Sequence, residues 1–158
     1  MSQACAQIPL FKVFMAPEAA LLPRLREVLY GGQISEGPPV AEFERRFAAF
    51  AGQPSVLAFY SGTAALHVAL LLAGAGPGDE VITTAMTAEP TNLAILHAGA
   101  RVVWADVDAR NGNLTAAAIA EKITPRTRAI MVVHYGGIPA PMAAIRALAA
   151  RHRLAVIE

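Results

Sequence analysis

The segment Phe59-Tyr60-Ser61-Gly62-Thr63-Ala64-Ala65-Leu66 carries the most informative chemistry in the chain. An apolar, strand-like stretch passes through Ser-Gly-Thr directly into a helical pattern. The first turn of a helix leaves backbone N–H groups unpaired and presents the positive end of the helix dipole, so an anion is held there. Ser61 and Thr63 add hydroxyl donors. The chemistry indicated is retention of a phosphate. The same residues also fit plain capping, in which Ser61 or Thr63 accepts a first-turn amide, and taken alone they favour capping.

Other side chains offer less. His134 ends a strand pattern before Gly136-Gly137, on the edge where open α/β sheets bind ligands, and reads equally as a supporting residue there or as packing. His67 and His97 fall inside helical patterns and read as packing positions. Asp106 and Asp108 flank Val107 ahead of a turn, so turn formation is preferred over a metal pair. The lysines are Lys12 and Lys122 alone, both read as solvated surface groups rather than desolvated, activated amines. Cys5 is the single cysteine, which excludes an internal disulfide and a CxxC metal site and suggests a reducing, cytoplasmic setting.

The elements that must position these residues follow from periodicity. Leu21, Leu22, Leu25, Val28 and Leu29 recur at helical spacing over Glu18 to Tyr30, and Gly31-Gly32 ends the run. A second helix is expected over Val40 to Ala51, with Phe43, Phe47 and Phe50 on one face and Gly52 closing it. Beyond Gly52, strand patterns at Ser55–Tyr60, Glu80–Thr83, Arg101–Asp106, Arg128–His134 and Leu154–Ile157 alternate with helical ones. Those helices are expected at Thr63–Ala73, Pro90–Ala98, Thr115–Ile123 and Met142–His152. Such alternation implies right-handed crossovers and an α/β fold with a mainly parallel sheet.

Composition narrows the function classes. The 158 residues are 55% hydrophobic and 16% charged, with a formal net charge of +1, which fits a sheet covered on both faces. The eleven arginines are scattered along the sequence, leaving no footprint for nucleic acid or an anionic membrane. A small-molecule partner is the better expectation. The first residues lack a basic n-region, and Gln7, Pro9 and Lys12 interrupt the apolar stretch, so no export signal is read. Ala64 through Ala75 is the longest apolar run and is too short to span a bilayer.

A longer series of segments surrounds the Ser-Gly-Thr turn. Gly37-Pro38-x-Val40 with Phe43-Glu44, Ser61 through Leu66, Gly78-Asp79-Glu80-Val81-Ile82, Gly99-Ala100, Asp106-Val107-Asp108, Ile123-Thr124-Pro125-Arg126-Thr127 and Val133-His134-Tyr135-Gly136-Gly137 appear in order. In that order and spacing, from about Ile34 to Glu158, the chain resembles the DegT/DnrJ/StrS family of sugar aminotransferases dependent on pyridoxal 5'-phosphate (PLP). The resemblance implies the large domain of a fold-type-I PLP-transferase, a mainly parallel sheet with flanking helices, here truncated. It implies that the cofactor phosphate is held at Ser61, Gly62, Thr63 and Ala64, through the backbone and the Thr63 hydroxyl. His134 joins these as a cofactor-site residue. Ala88, followed by Glu89 and Pro90, stands where relatives carry an aromatic stacked on the pyridine ring, which weakens ring positioning unless another side chain substitutes. The Gly32–Gly37 stretch is implied to lie near the substrate pocket, with Ser35 its polar candidate. Pro139 to Ala143 replaces a helix start where relatives place aspartates.

The expected organisation is an N-terminal helical segment over 1–52 and a partial PLP-binding domain over 53–158. Leu154 to Glu158 resembles the strand that relatives continue with an Asp paired to the pyridine nitrogen, and the Schiff-base lysine belongs further along. Neither Lys12 nor Lys122 takes its place, so no catalytic residue is assigned and the chain alone is expected to be inactive. The intact protein is expected to be a cytoplasmic homodimer moving an amino group from an amino acid such as glutamate to a keto-sugar, in the nucleotide-linked form. Neither nucleic acid nor membrane is expected as a partner. The alternative is a non-catalytic shortened relative serving as a phosphate-binding or subunit-interaction module. A relative acting on a cyclitol or an aromatic precursor is a third reading.

Overall fold

The computed structural model describes residues 13–158. Cys5, Lys12 and the residues that bear on an export signal lie outside the described residues. The chain divides into two compact units, the first ending at Ala58 and the second comprising Phe59–Glu158.

The first unit holds α1 (Glu18–Tyr30) and α2 (Pro38–Ala51). The second helix starts two residues ahead of the expected Val40, because Pro38 and Pro39 occupy its first turn. There proline has the helical φ built in and its missing N–H costs nothing. Gly52 ends α2 in the left-handed region at φ 64°, where a side chain would be strained, and the amide of Gln53 reaches back to the Ala48 carbonyl. Phe43, Phe47 and Phe50 do share one face, with successive ring centroids 5.7 and 6.1 Å apart.

Ser55–Tyr60, expected as a strand, is irregular. A strand exists only as part of a ladder, and among the described residues no neighbouring strand pairs with this segment. The Ala58 amide donates instead to Glu44 Oε1 at 2.8 Å.

The second unit is a four-stranded parallel sheet in the order β2-β1-β3-β4, with β1 at Glu80–Thr83, β2 at Arg101–Trp104, β3 at Thr127–Met131 and β4 at Ala155–Ile157. The helices are α3 (Gly62–Leu72), α4 (Glu89–His97), α5 (Ala116–Ala120) and α6 (Met142–His152). Because side chains alternate along a strand, Val81, Ala129 and Met131 join one core beneath α3 and α4. Ile82 and Ile130 join the other, with Ile119 of α5 and Ile145 of α6. Truncating Ile82 or Ile130, each fully buried, to alanine would cost roughly 2–5 kcal/mol.

Several boundaries differ from expectation: β2 stops at Trp104, short of the expected Asp106, and α4 starts and ends one residue early. Helix α5 is shorter than the expected Thr115–Ile123. Its start is capped by the Thr115 hydroxyl, which accepts the Ala118 amide at 3.2 Å, and after Ala120 the amides of Lys122 and Ile123 tighten to bonds three residues back. Strand β3 stops at Met131, short of the expected His134, and a 3₁₀ turn at Tyr135–Gly137 follows.

The strands begin around a buried carboxylate. Glu80, 1% exposed, accepts hydrogen bonds from Thr124 Oγ1 at 2.7 Å, from Arg126 Nε at 2.9 Å and from Arg101. Thr124 and the two guanidinium groups outweigh desolvation and hold its carboxyl at about 2, well below the usual range. It ties together the starts of β1, β2 and β3.

Candidate anion-binding turn at the start of α3

Helix α3 opens at Gly62, one residue ahead of the expected Thr63. Ser61 is extended (φ −155°, ψ 155°). Its Oγ accepts the Ala64 amide at 3.2 Å and its carbonyl accepts the Ala65 amide at 3.1 Å. Capping by Ser61 is therefore real. It engages only part of the first turn: among the described residues no acceptor takes the amides of Gly62 and Thr63 or the Thr63 hydroxyl. Gly62 is exposed, and a Cβ placed there meets nothing within 4 Å, so the approach to these donors is open. Two backbone donors, one hydroxyl and a helix dipole converge on one space. That set fits an oxyanion such as a phosphate monoester. The Ala64 amide would contribute only if the Ser61 cap opened.

Helix α4 packs beside α3, on the same face of the sheet. Ala88 is its exposed N-cap, with no side-chain cap bond. The loop that leads to it from β1 is held by its own polar groups. Thr84 Oγ1 accepts the Met86 amide at 2.9 Å, Asn92 Nδ2 donates to the Thr84 carbonyl at 3.2 Å, and Thr87 and Thr91 hydroxyls pair at 2.9 Å.

His134 lies past the end of β3. The Ala140 amide donates to Nδ1 at 3.1 Å, which leaves the proton of the neutral ring on Nε2, and Nε2 meets Glu158 Oε2 at 3.1 Å. Glu158 Oε1 also accepts from Arg146 Nη2 at 2.7 Å. Arg146 first, and His134 after it, hold the Glu158 carboxyl below its ordinary range against desolvation. The ring thus connects the ends of β3 and β4 with α6.

Asn113 is 1% exposed and reads in the sequence only as the end of a turn. Its Oδ1 accepts the Tyr135 amide at 2.9 Å and its Nδ2 donates to the Ile138 carbonyl at 2.9 Å, so one side chain holds both ends of the turn after His134. Next to it, Gly112 has φ 72°, and a Cβ there would lie 2.7 Å from the Tyr135 ring. The turn chemistry of Asn111-Gly112-Asn113 is visible in the sequence. Its distant partners are not.

Asp106 and Asp108 serve the turn. Asp106 Oδ1 accepts the Val107 amide at 2.8 Å, and Asp108 takes the Arg110 amide and guanidinium, which hold its carboxyl at about 2. Lys122 is exposed beside a hollow of about 570 Å³ that Trp104, Met86 and Asp106 also line. Ser35 is exposed in the first unit, between α1 and α2. Among the described residues there is no cluster of three or more metal-ligating side chains, and no helix is long and apolar enough to cross a membrane.

One protein-family model matches residues 17–158, which takes in both helices of the first unit and the whole of the second. The chain belongs to the DegT/DnrJ/EryC1/StrS aminotransferase family. Over 132 residues it is 46% identical to the spore coat polysaccharide biosynthesis protein SpsC of Bacillus subtilis (strain 168), a match covering 84% of this chain and 34% of SpsC. The sugar aminotransferase CalS13 from Micromonospora echinospora superposes with a TM-score of 0.83 at 43% identity, over 92% of this chain and 39% of CalS13. NtdA from Bacillus subtilis, whose structure contains bound cofactor PMP, gives 0.82 at 36% identity, over 85% and 31% of the two chains. The fold-type-I large-domain architecture expected of the family is the one observed. The chain spans about a third of the length of these relatives.

Proposed function

We propose that this chain supplies the first part of the large domain of a PLP-dependent aminotransferase that transfers an amino group from an amino acid, such as glutamate, to a nucleotide-linked keto-sugar. The observation that carries the reading is the turn at Ser61–Ala64, where the Gly62 and Thr63 amides and the Thr63 hydroxyl stand free at the open end of α3. PLP, when bound, supplies the carbonyl that carries the amino group between donor and acceptor. The chain's own part is to bind and orient. Gly62, Thr63 and, on opening of the Ser61 cap, Ala64 hold the phosphate by donated hydrogen bonds, and the dipole of α3 favours its charge.

His134 supports the site through its bond to Glu158, keeping the ends of β3 and β4 in register at the edge where family members bind their cofactor. Ala88 leaves the ring face without the family's aromatic. Ser35 is assigned to the sugar side. An active site shared between two subunits of a cytoplasmic homodimer, and a division of the chain at 52/53, complete the proposal.

A specific observation also favours the non-catalytic reading for the chain taken by itself. Lys122 is exposed in the turn that follows α5 and has no desolvating surroundings to make its amine a nucleophile. One experiment separates the two. The coding region is expressed out to the full length of the relatives, and glutamate-dependent amination is assayed with keto-sugar, cyclitol and aromatic acceptors. Amination of a nucleotide-linked keto-sugar supports the proposal. PLP binding without transfer to any acceptor favours the non-catalytic module, and transfer only to a cyclitol or aromatic acceptor moves the substrate class.

A further inference from the structure

Two histidines that the helical patterns assign to packing meet in space. His67 of α3 and His97, the last residue of α4, set their rings edge to face, with centroids 5.9 Å apart and planes 66° from parallel. Among the described residues, imidazole hydrogen bonds all belong to His134, so the nitrogens of this pair have no protein partner. His67 is half-buried and His97 exposed. They border a hollow of about 300 Å³ that is also lined by Tyr60, Ser61 and Thr63, and none of its lining residues is acidic.

Two neighbouring imidazoles with free lone pairs and no carboxylate between them are nitrogen donors suited to a borderline divalent metal ion. At a metal–nitrogen distance of about 2.0–2.1 Å each ring centroid sits roughly 3.2 Å from the ion, and a tetrahedral angle then places the centroids about 5.2 Å apart. The observed separation exceeds this by less than about 1 Å, and binding requires the rings to turn about their side-chain torsions until a nitrogen of each faces the ion. We propose that His67 and His97 form a two-imidazole site for a divalent transition metal such as Zn²⁺, with water filling the remaining positions. The ion would join α3 to α4. The same hollow borders the anion-binding turn at Ser61 and Thr63.

The test is uptake of Zn²⁺ alone by the full chain, measured by equilibrium dialysis near neutral pH, together with the melting temperature with and without the ion. The expected result is one bound equivalent and a Zn²⁺-dependent rise in melting temperature. His67→Gln and His97→Gln should each weaken uptake roughly tenfold or more and remove the rise. Cys5→Ser and His152→Gln, which alter other potential ligands, should leave both unchanged. If His67→Gln does not fold by circular dichroism, His97→Gln at the exposed helix end carries the comparison. No uptake, uptake undiminished in the His97 variant, or uptake lost in Cys5→Ser or His152→Gln would overturn the proposal and leave the pair as an edge-to-face packing contact.

Discussion

Replacing Glu80 by glutamine removes one charge from the start of the sheet and changes little else. The carboxylate is 1% exposed and accepts from Thr124, Arg126 and Arg101, while the two arginine side chains are 64% and 65% exposed. A carboxyl held at about 2 against an ordinary 4.5 sets an upper bound of roughly 3 kcal/mol on its contribution near pH 7. Losing one member of a fully buried pair costs more, but here both guanidinium groups regain water when the charge goes. The expected loss is therefore roughly 1.5–3 kcal/mol. The sign follows from the direction of the shift. A depressed folded value gives stability that is complete above the unfolded value and lost as pH falls from about 5 toward 2, so the gap between parent and variant should narrow by more than half between pH 7 and pH 3. Urea unfolding followed by the fluorescence of Trp104 measures this, because the chain's one tryptophan lies on β2 and reports on the second unit. A gap that stays constant across that range, or one below about 0.5 kcal/mol at pH 7, would refute the assignment of stability to the ionised carboxylate.

In a full-length protein, Thr63→Ala should weaken PLP binding by roughly 1.5–3 kcal/mol, through loss of one hydrogen bond to a charged acceptor, without loss of the fold by circular dichroism. A bulky residue at exposed Gly62 should weaken it further by blocking the approach to the two free amides; unchanged affinity in both variants reduces the turn to a helix cap. Asn113→Ala removes two hydrogen bonds from a residue 1% exposed and leaves the Tyr135 amide and Ile138 carbonyl unpaired. A destabilisation of roughly 2–4 kcal/mol is expected in urea, and a loss under about 1 kcal/mol would show that water replaces the side chain. Incubation of the 158-residue chain with PLP, then borohydride and peptide mapping, should give no stoichiometric adduct at Lys122 or Lys12. A site-specific adduct at either lysine contradicts the reading of both as solvated amines.

The local code of the sequence carried most of the scaffold. Helical periodicity placed α1 and α6 at the observed limits, with Gly31-Gly32 marking the end of α1, and the short run of Glu80–Thr83 placed β1, because those signals depend on neighbours a few residues apart. The Ser61-Gly62-Thr63 turn was legible for the same reason: a strand-to-helix turn exposes its own amides whatever surrounds it. The Asp106 and Asp108 turn was equally local.

Tertiary structure decided what depends on partners far along the chain. Ser55–Tyr60 has the composition of a strand, yet strand formation needs a ladder neighbour, and the segment spends the Ala58 amide on Glu44. Glu80 reads only as the first residue of an expected strand until the fold brings Arg101, Thr124 and Arg126 around it from 21 to 46 positions away. Asn113 reads as one more turn residue until Tyr135 and Ile138 arrive to occupy its amide. His67 and His97 each read correctly as a residue on its own helix, but periodicity says nothing about which face meets which. Packing of α3 against α4 brought the two rings together, since side-chain hydrogen bonding and ring contact are set by distance in space, which sequence spacing fixes only within a turn or two of the same element.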